Sequence, residues 1–347
     1  AMIHGHGDDA SLQTVEILDD FSVNIRFDGP PPALLDHLRS RMDLVARYPE
    51  PDARSYRREL AAFWRISESQ ILVTAGGVAA IHLLAQAHHG RRSLVLSPTF
   101  SEYADAAIAN AHSLTRATRA ELAASEGALL AGAEIVWLCN PNNPTGENIP
   151  AAELLALVDA HPATLFAIDQ AFADFCAAAP VTPADAVARP NLVLLRSFTK
   201  TLGIPGLRLG CILSSEANVA FLSRVNQPWA VNSLAIEAGL FHLEHPDLFA
   251  LPLDDMLAEA RSLMRAIDAL PGYAAHPSAT VFFLVSLRRG RALALKEYLV
   301  RRYRILVRDA SNFVGLVPEA GRDAVRISSR TARQNARLVQ ALASWQA

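Results

Sequence analysis

The chain has 347 residues, 51% of them apolar, which is enough for a large core and for two domains. Its net charge of -3, from 32 basic and 35 acidic residues, gives no general electrostatic case for nucleic acid or a membrane surface as partner. Cys139, Cys176 and Cys211 are isolated and lack metal-ligand spacing, so no metal site is expected and a reducing, cytoplasmic setting is. No apolar run reaches the roughly 18 residues of a membrane span.

Along the chain, Phe21, Val23 and Ile25 alternate as a short strand does, and Gly29-Pro30-Pro31-Pro32 must be extended. Residues 1–32 are therefore expected to form an arm docked on another surface. Apolar spacing predicts helices over 34–46 and 55–63. Ile71 to Thr74 reads as a strand, followed by Gly76-Gly77 and a helix over 78–87. Strand, glycine turn and helix can present free N–H groups to an anion, although many such turns bind nothing.

Further strands are expected at 93–96, 134–138, 164–168, 191–195 and 210–213, and the Ala-rich segments 104–111 and 121–133 are helix formers. The first of these strands runs into Ser97-Pro-Thr-Phe100-Ser-Glu-Tyr103, whose two aromatics can stack on a planar ligand or simply pack. The second runs into a rigid Asn-Pro loop, Asn140 to Gly146. Short apolar strands alternating with helices give an α/β class with a mostly parallel sheet between helices. Gly76, Gly77, Phe100, Asn143, Asp169 and Lys200 all fall just past strand C-termini, the edge at which open α/β sheets bind ligands. Lys200 follows a buried strand, with Ser197 before it and Arg208 after it. It suits a Schiff base with an aldehyde cofactor, pyridoxal 5'-phosphate being the usual one, and Ser197 and Arg208 suit its phosphate. A surface lysine is the alternative.

After Trp229 the pattern changes to a smaller α+β unit. Helices are expected at 233–243, 254–270, 292–302 and 331–345, with strands at 280–285, 305–308 and 324–327. Arg308 and Arg326 fall in or at the end of short strands, where they suit a bound carboxylate or phosphate, or structural salt bridges. The expected division is an arm over 1–32, a large domain over 33–232 and a small domain over 233–347.

Asn140-Pro-Asn-Asn143-Pro-Thr-Gly146, Asp169-Gln-Ala-Phe172 and Ser197-Phe-Thr-Lys200 with Arg208, in this order, resemble the fold-type-I pyridoxal-phosphate-dependent aminotransferase superfamily, class I/II. The resemblance covers essentially the whole chain and implies a seven-stranded sheet. Tyr48-Pro-Glu-Pro-Asp-Ala-Arg54 is similar to the branch of histidinol-phosphate aminotransferase and threonine-phosphate decarboxylase. The His-Gly arm, Asp20 to Ile25, Pro228 to Asn232 and Ile305 to Leu316 look closer to the decarboxylase.

The resemblance implies that Lys200 binds the cofactor and moves the Cα proton, and that Asp169 pairs with the pyridine nitrogen. It implies that Asn143 bonds the 3'-oxygen and that Phe100 stacks on the ring. The turn Gly76-Gly77-Val78, with Ser197, Arg208 and Tyr48 of a partner subunit, would hold the phosphate. Arg326 would take the substrate carboxylate, while Asn24, Arg308 and His4 or His6 would reach its distal end. A homodimer with shared active sites and an amino-acid substrate follow by the same analogy.

Three features depart from the superfamily pattern. Phe172 replaces a common Tyr, the phosphate turn lacks an Asn and an acidic residue often seen there, and the arm's spacer to Asp20 is short. Transamination of a small or phosphorylated amino acid is the first expectation. Decarboxylation of a phosphorylated amino acid is the alternative, and a non-catalytic relative a distant third.

Overall fold

The computed structural model describes residue 10 and residues 13–316 and 323–346. The central sheet has seven strands: β2 (Ile71–Thr74), β3 (Arg92–Leu96), β4 (Ser113–Ala117), β5 (Ile135–Cys139), β6 (Leu165–Asp169), β7 (Leu192–Ser197) and β8 (Gly210–Ser214). Their order across the sheet is β2-β8-β7-β6-β5-β3-β4, and β8 alone runs against its neighbours. The inner strands β5 to β8 are apolar and buried along most of their length, as a sheet covered on both faces requires. One core, with Phe166, Leu192 and Leu194, lies on one face; a second, with Trp137, Leu195 and Ile212, lies on the other.

Six of these strands were expected from apolar runs, and β4 was not. Its Ser113, Thr115 and Arg116 are exposed, and it closes one edge of the sheet. Polar residues are how an edge strand is kept from pairing further, so the strand carries no apolar signature.

The smaller unit contains a four-stranded sheet in the order β12-β13-β10-β9, from β9 (Tyr273–Ala275), β10 (Phe282–Leu287), β12 (Arg308–Asp309) and β13 (Ala324–Ser328). The expected strand over 305–308 is in fact two. Ile305–Leu306, β11, pairs in parallel with β1 (Asp19–Asp20), and the chain then joins the four-stranded sheet as β12. Other boundaries also move. The helix expected over 34–46 is α-helical over Pro32–Ser40 and continues as a 3-10 turn over Met42–Ala46. The segment 121–133 divides into Arg119–Ala124 and Ala128–Ala131 around Glu126 and Gly127, both left-handed.

The helix Ser233–Glu244 puts Ala235, Ile236, Ala238 and Phe241 into the first core, so it packs on the large sheet rather than with the small unit. The helix Leu253–Asp268 bridges both units. Its Met256 and Leu257 join the second core, and its Leu263 and Ile267 join the small unit's core.

The arm docks, but not through the alternation read from the sequence. Phe21 is fully buried, whereas Val23 and Ile25 are only half-buried, and the deeply buried neighbours are Ser22, Asn24 and Arg26. Its main chain is held by the small unit: Ser328 N–H donates to Phe21 O (2.9 Å), and Arg330 donates to Asp20 O (2.6 Å) and Val23 O (2.8 Å). The arm then crosses the short helix Phe198–Thr201, where Arg26 N–H donates to Lys200 O at 3.2 Å. Gly203 (φ +69°) makes that crossing possible, because a Cβ there would come within 2.7 Å of the Gly29 carbonyl carbon.

Candidate active site

Two adjoining cavities, of about 100 and 110 Å3, open at the C-terminal edge of the large sheet and share Phe100 and Asn143. The inner one is lined by Gly77 and Val78 after β2, Phe100 after β3, Asn143 after β5, Asp169 at the end of β6, and Ser197, Thr199, Lys200 and Arg208 around β7. The structure thus brings together residues spread over more than a hundred positions, because parallel strands deliver their C-termini to one rim.

Its polar groups are of two kinds. The first kind suits a phosphate. The helix Gly77–Ala87 begins here, and its first N–H groups have no intrahelical partner. Ser197 Oγ lies 2.8 Å from Thr199 Oγ1. Arg208, held left-handed at φ 64°, donates to Pro205 O at 2.9 Å. Gly76 (φ +87°) is needed because a Cβ would sit 2.6 Å from Arg208 Nη2.

The second kind suits a protonated ring nitrogen. Asp169 is buried, its Oδ1 accepting from Ala171 N–H (2.8 Å) and its Oδ2 from Tyr103 O–H (2.7 Å). Burial pushes its carboxyl up, while those two bonds and the charges of Lys200 and Arg196 hold it down. Tyr103 thus serves Asp169 through its hydroxyl while its ring stacks on Trp137, centroids 6.0 Å apart, a role the sequence reading missed. Burial pushes the neighbouring Cys139 thiol up to about 12, so it stays protonated.

The Asn-Pro loop divides its labour. Asn140 closes the loop on Ile149, accepting from its N–H at 2.7 Å and donating to its O at 2.9 Å. Asn142 donates to Pro98 O (2.8 Å) and accepts from Thr99 O–H (2.8 Å). Asn143 is left at the junction of the two cavities, its Oδ1 accepting from Arg326 Nη1.

The outer cavity is lined by Ser97, Thr99, Asn143, Arg308, Asn312 and Arg326, with Arg116 and Asp105 toward the sheet edge. Arg308 and Arg326 stand directly opposite each other on β12 and β13, and only 5% and 4% of them is exposed. Arg326 donates to Asn143 Oδ1 and Ser22 O, both uncharged, and its Nε is buried without a partner among the described residues. Burial, then the charge of Arg308, presses Arg326 below its ordinary value, while Asp20 acts the other way. Asn24 is also buried, and neither atom of its amide has a hydrogen-bond partner among the described residues.

Tyr48 is expected to act on a partner's site, and the arm histidines on this one. Tyr48 lines neither cavity; it is 87% exposed and rests near Trp229, ring centroids 5.8 Å apart. His4 and His6 lie outside the described residues.

Residues 20–342 match the family described as aminotransferase class I and II. The chain belongs to that family. Its cofactor is pyridoxal 5'-phosphate (PLP), which the inner cavity's donor set fits. The chain is 31% identical over 336 residues to a threonine-phosphate decarboxylase of Salmonella typhimurium, covering 93% of this chain and 90% of that one. It is 32% identical over 328 residues to a histidinol-phosphate aminotransferase of Symbiobacterium thermophilum, covering 90% and 86%. The crystal structure of L-threonine-O-3-phosphate decarboxylase from Porphyromonas gingivalis superposes with a TM-score of 0.89 at 38% identity, covering 94% of this chain and 98% of that one. The family members it resembles thus include both aminotransferases and decarboxylases. No helix among the described residues is long and apolar enough to cross a membrane.

Proposed function

We propose that this member of the family decarboxylates a short α-amino acid carrying a phosphate, L-threonine O-3-phosphate being the first candidate. The observation that carries the reading is the Arg308–Arg326 pair. Like charges directly opposite on neighbouring strands are destabilising, and more so when buried. An amino acid phosphate brings a carboxylate and a phosphate within a few bonds of each other, one anion for each arginine. Histidinol phosphate brings one anion and an imidazole, so it offers an anion to only one of the two. The 38% identity to the Porphyromonas decarboxylase across nearly the whole of both chains supports the same choice. Transamination, the first expectation from the motifs, remains the second reading, favoured by the match to the Symbiobacterium enzyme.

In this reading Gly77, Val78, Ser197, Thr199 and Arg208 hold the cofactor phosphate. Asp169 keeps a proton at the pyridine nitrogen, Asn143 bonds the 3'-oxygen and Phe100 covers the ring. When bound, PLP supplies the electron sink for the pair left at Cα when CO2 departs. Lys200 anchors the cofactor and returns a proton to Cα. Arg326 orients the carboxylate, while Arg308 and Asn24 face the phosphate. Tyr48 has a role only across a homodimer interface.

The test is to incubate the PLP-loaded protein with O-phospho-L-threonine and an α-keto acid as amino acceptor, and to follow CO2, the amine phosphate and the keto acid made from the substrate. Equal amounts of CO2 and 1-amino-2-propanol phosphate are expected. Keto acid formation with no CO2 overturns the reading in favour of transamination.

A further inference from the structure

We propose that Arg116 is a specificity-determining residue of the outer cavity, contributing a third cation that reads the charge of the substrate's distal anion. The inference rests on the proposal that this cavity takes a phosphorylated amino acid.

Arg116 is the penultimate residue of the edge strand β4, opposite Val95 of β3. It therefore sits at the same C-terminal rim as the cofactor residues but on the far side of the cavity from β12 and β13. It lines that cavity together with Arg308 and Arg326. The strand end is fixed, because the next residue, Ala117, accepts a hydrogen bond from Ser97 N–H at 2.8 Å. Among the described residues Arg116 has neither a hydrogen-bond nor an ion-pair partner for its guanidinium, and its side chain is exposed. Asp105, the one carboxylate among the described residues that line the same cavity, is not within ion-pair distance of it. Among the described residues the cavity lining therefore carries three positive charges and one negative.

Charge decides what such a lining selects. The substrate carboxylate needs one arginine. A distal carboxylate, a monoanion, needs one more. A phosphate offers up to two charges and three acceptor oxygens, enough for Arg308 on one side and Arg116 on the other. Because Arg116 comes from the large sheet and Arg308 from the small unit, one phosphate held by both would also bridge the two units. Arg116 touches no reacting atom, so its effect belongs in substrate affinity and selectivity rather than in the proton transfers at Cα.

Steady-state kinetics of the PLP-loaded protein with O-phospho-L-threonine and with L-threonine, compared as kcat/KM and KM, test this. Wild type is compared with Arg116→Gln, Arg116→Lys and Asp105→Asn. The preference for the phosphorylated over the plain amino acid should fall about tenfold in Arg116→Gln, the worth of one charge-assisted contact. Arg116→Lys should recover part of it, since a point charge remains, and Asp105→Asn should raise it by removing a like charge. The visible absorbance of the bound cofactor checks that each variant is folded and loaded. An unchanged preference in Arg116→Gln, with wild type releasing CO2 from the phosphorylated substrate, overturns the role of Arg116 and leaves the proposed function standing. A lost preference with keto acid as the product of wild type supports Arg116 and overturns decarboxylation. If wild type turns over neither amino acid, both proposals fall.

Discussion

The inner and outer cavities meet at Phe100 and Asn143 but are built in opposite ways. The inner one is furnished by residues at the ends of β2, β3, β5, β6 and β7, all within one rigid sheet. The outer one draws on the sheet edge, a loop and a second, smaller sheet, and its deepest guanidinium reaches the main chain of the arm. A cofactor that must be held the same way in every turnover is gripped by elements that cannot shift. A substrate that must enter and leave is met by groups drawn from two separate sheets and a loop.

Substitutions can break that contrast. Lys200→Ala removes the cofactor's anchor in the inner cavity. The visible band of the bound cofactor should disappear or shift, and turnover should fall by about 10³-fold or more. Arg326→Ala strikes chiefly the outer cavity, reaching the inner one only through its bond to Asn143. The cofactor band should persist while kcat/KM for the amino acid phosphate drops roughly a hundredfold, because a buried charged contact is lost. Gly76→Ala strikes the inner cavity alone. It sets a Cβ against Arg208 and forces alanine into a left-handed conformation, so PLP should bind about tenfold more weakly by fluorescence titration.

Tyr103→Phe should have the smallest effect, a few-fold in turnover, but it has a distinct signature. The Tyr103 bond lowers the Asp169 pKa, so its loss lets burial raise that carboxyl further. Asp169 is needed ionised to hold the ring proton. The acid limb of the pH–activity profile should therefore move to higher pH, and a limb left in place would show that Tyr103 only packs.

The same contrast explains what the sequence could disclose. Lys200, Asp169, Asn143 and the Gly76-Gly77 turn were legible because each follows a short apolar run, and such a run ends at the sheet's rim. Arg116 was not, because β4 reads Ser-Leu-Thr-Arg-Ala and offers no apolar run to follow. Tyr103 was legible as an aromatic but not as a partner of Asp169, since its bond joins the first turn of a helix to a strand 66 residues away. Arg308 and Arg326 were noticed as misplaced charges, yet their face-to-face pairing depends on the register between β12 and β13. The split of 305–308 into two strands was hidden for a related reason. Strand propensity is a property of the segment, whereas the choice of sheet depends on the docked arm.

The helix Leu253–Asp268 has a mechanical consequence. Its 16 residues form a strut of about 24 Å, with one end clamped in the core of the large sheet and the other in that of the small unit. No glycine or proline interrupts it, so it has no built-in hinge. Any swing of one unit against the other must tilt or bend the strut as a whole. Denaturant that frees one end strips packing from the other, so the two cores should melt in a single cooperative transition rather than one after the other.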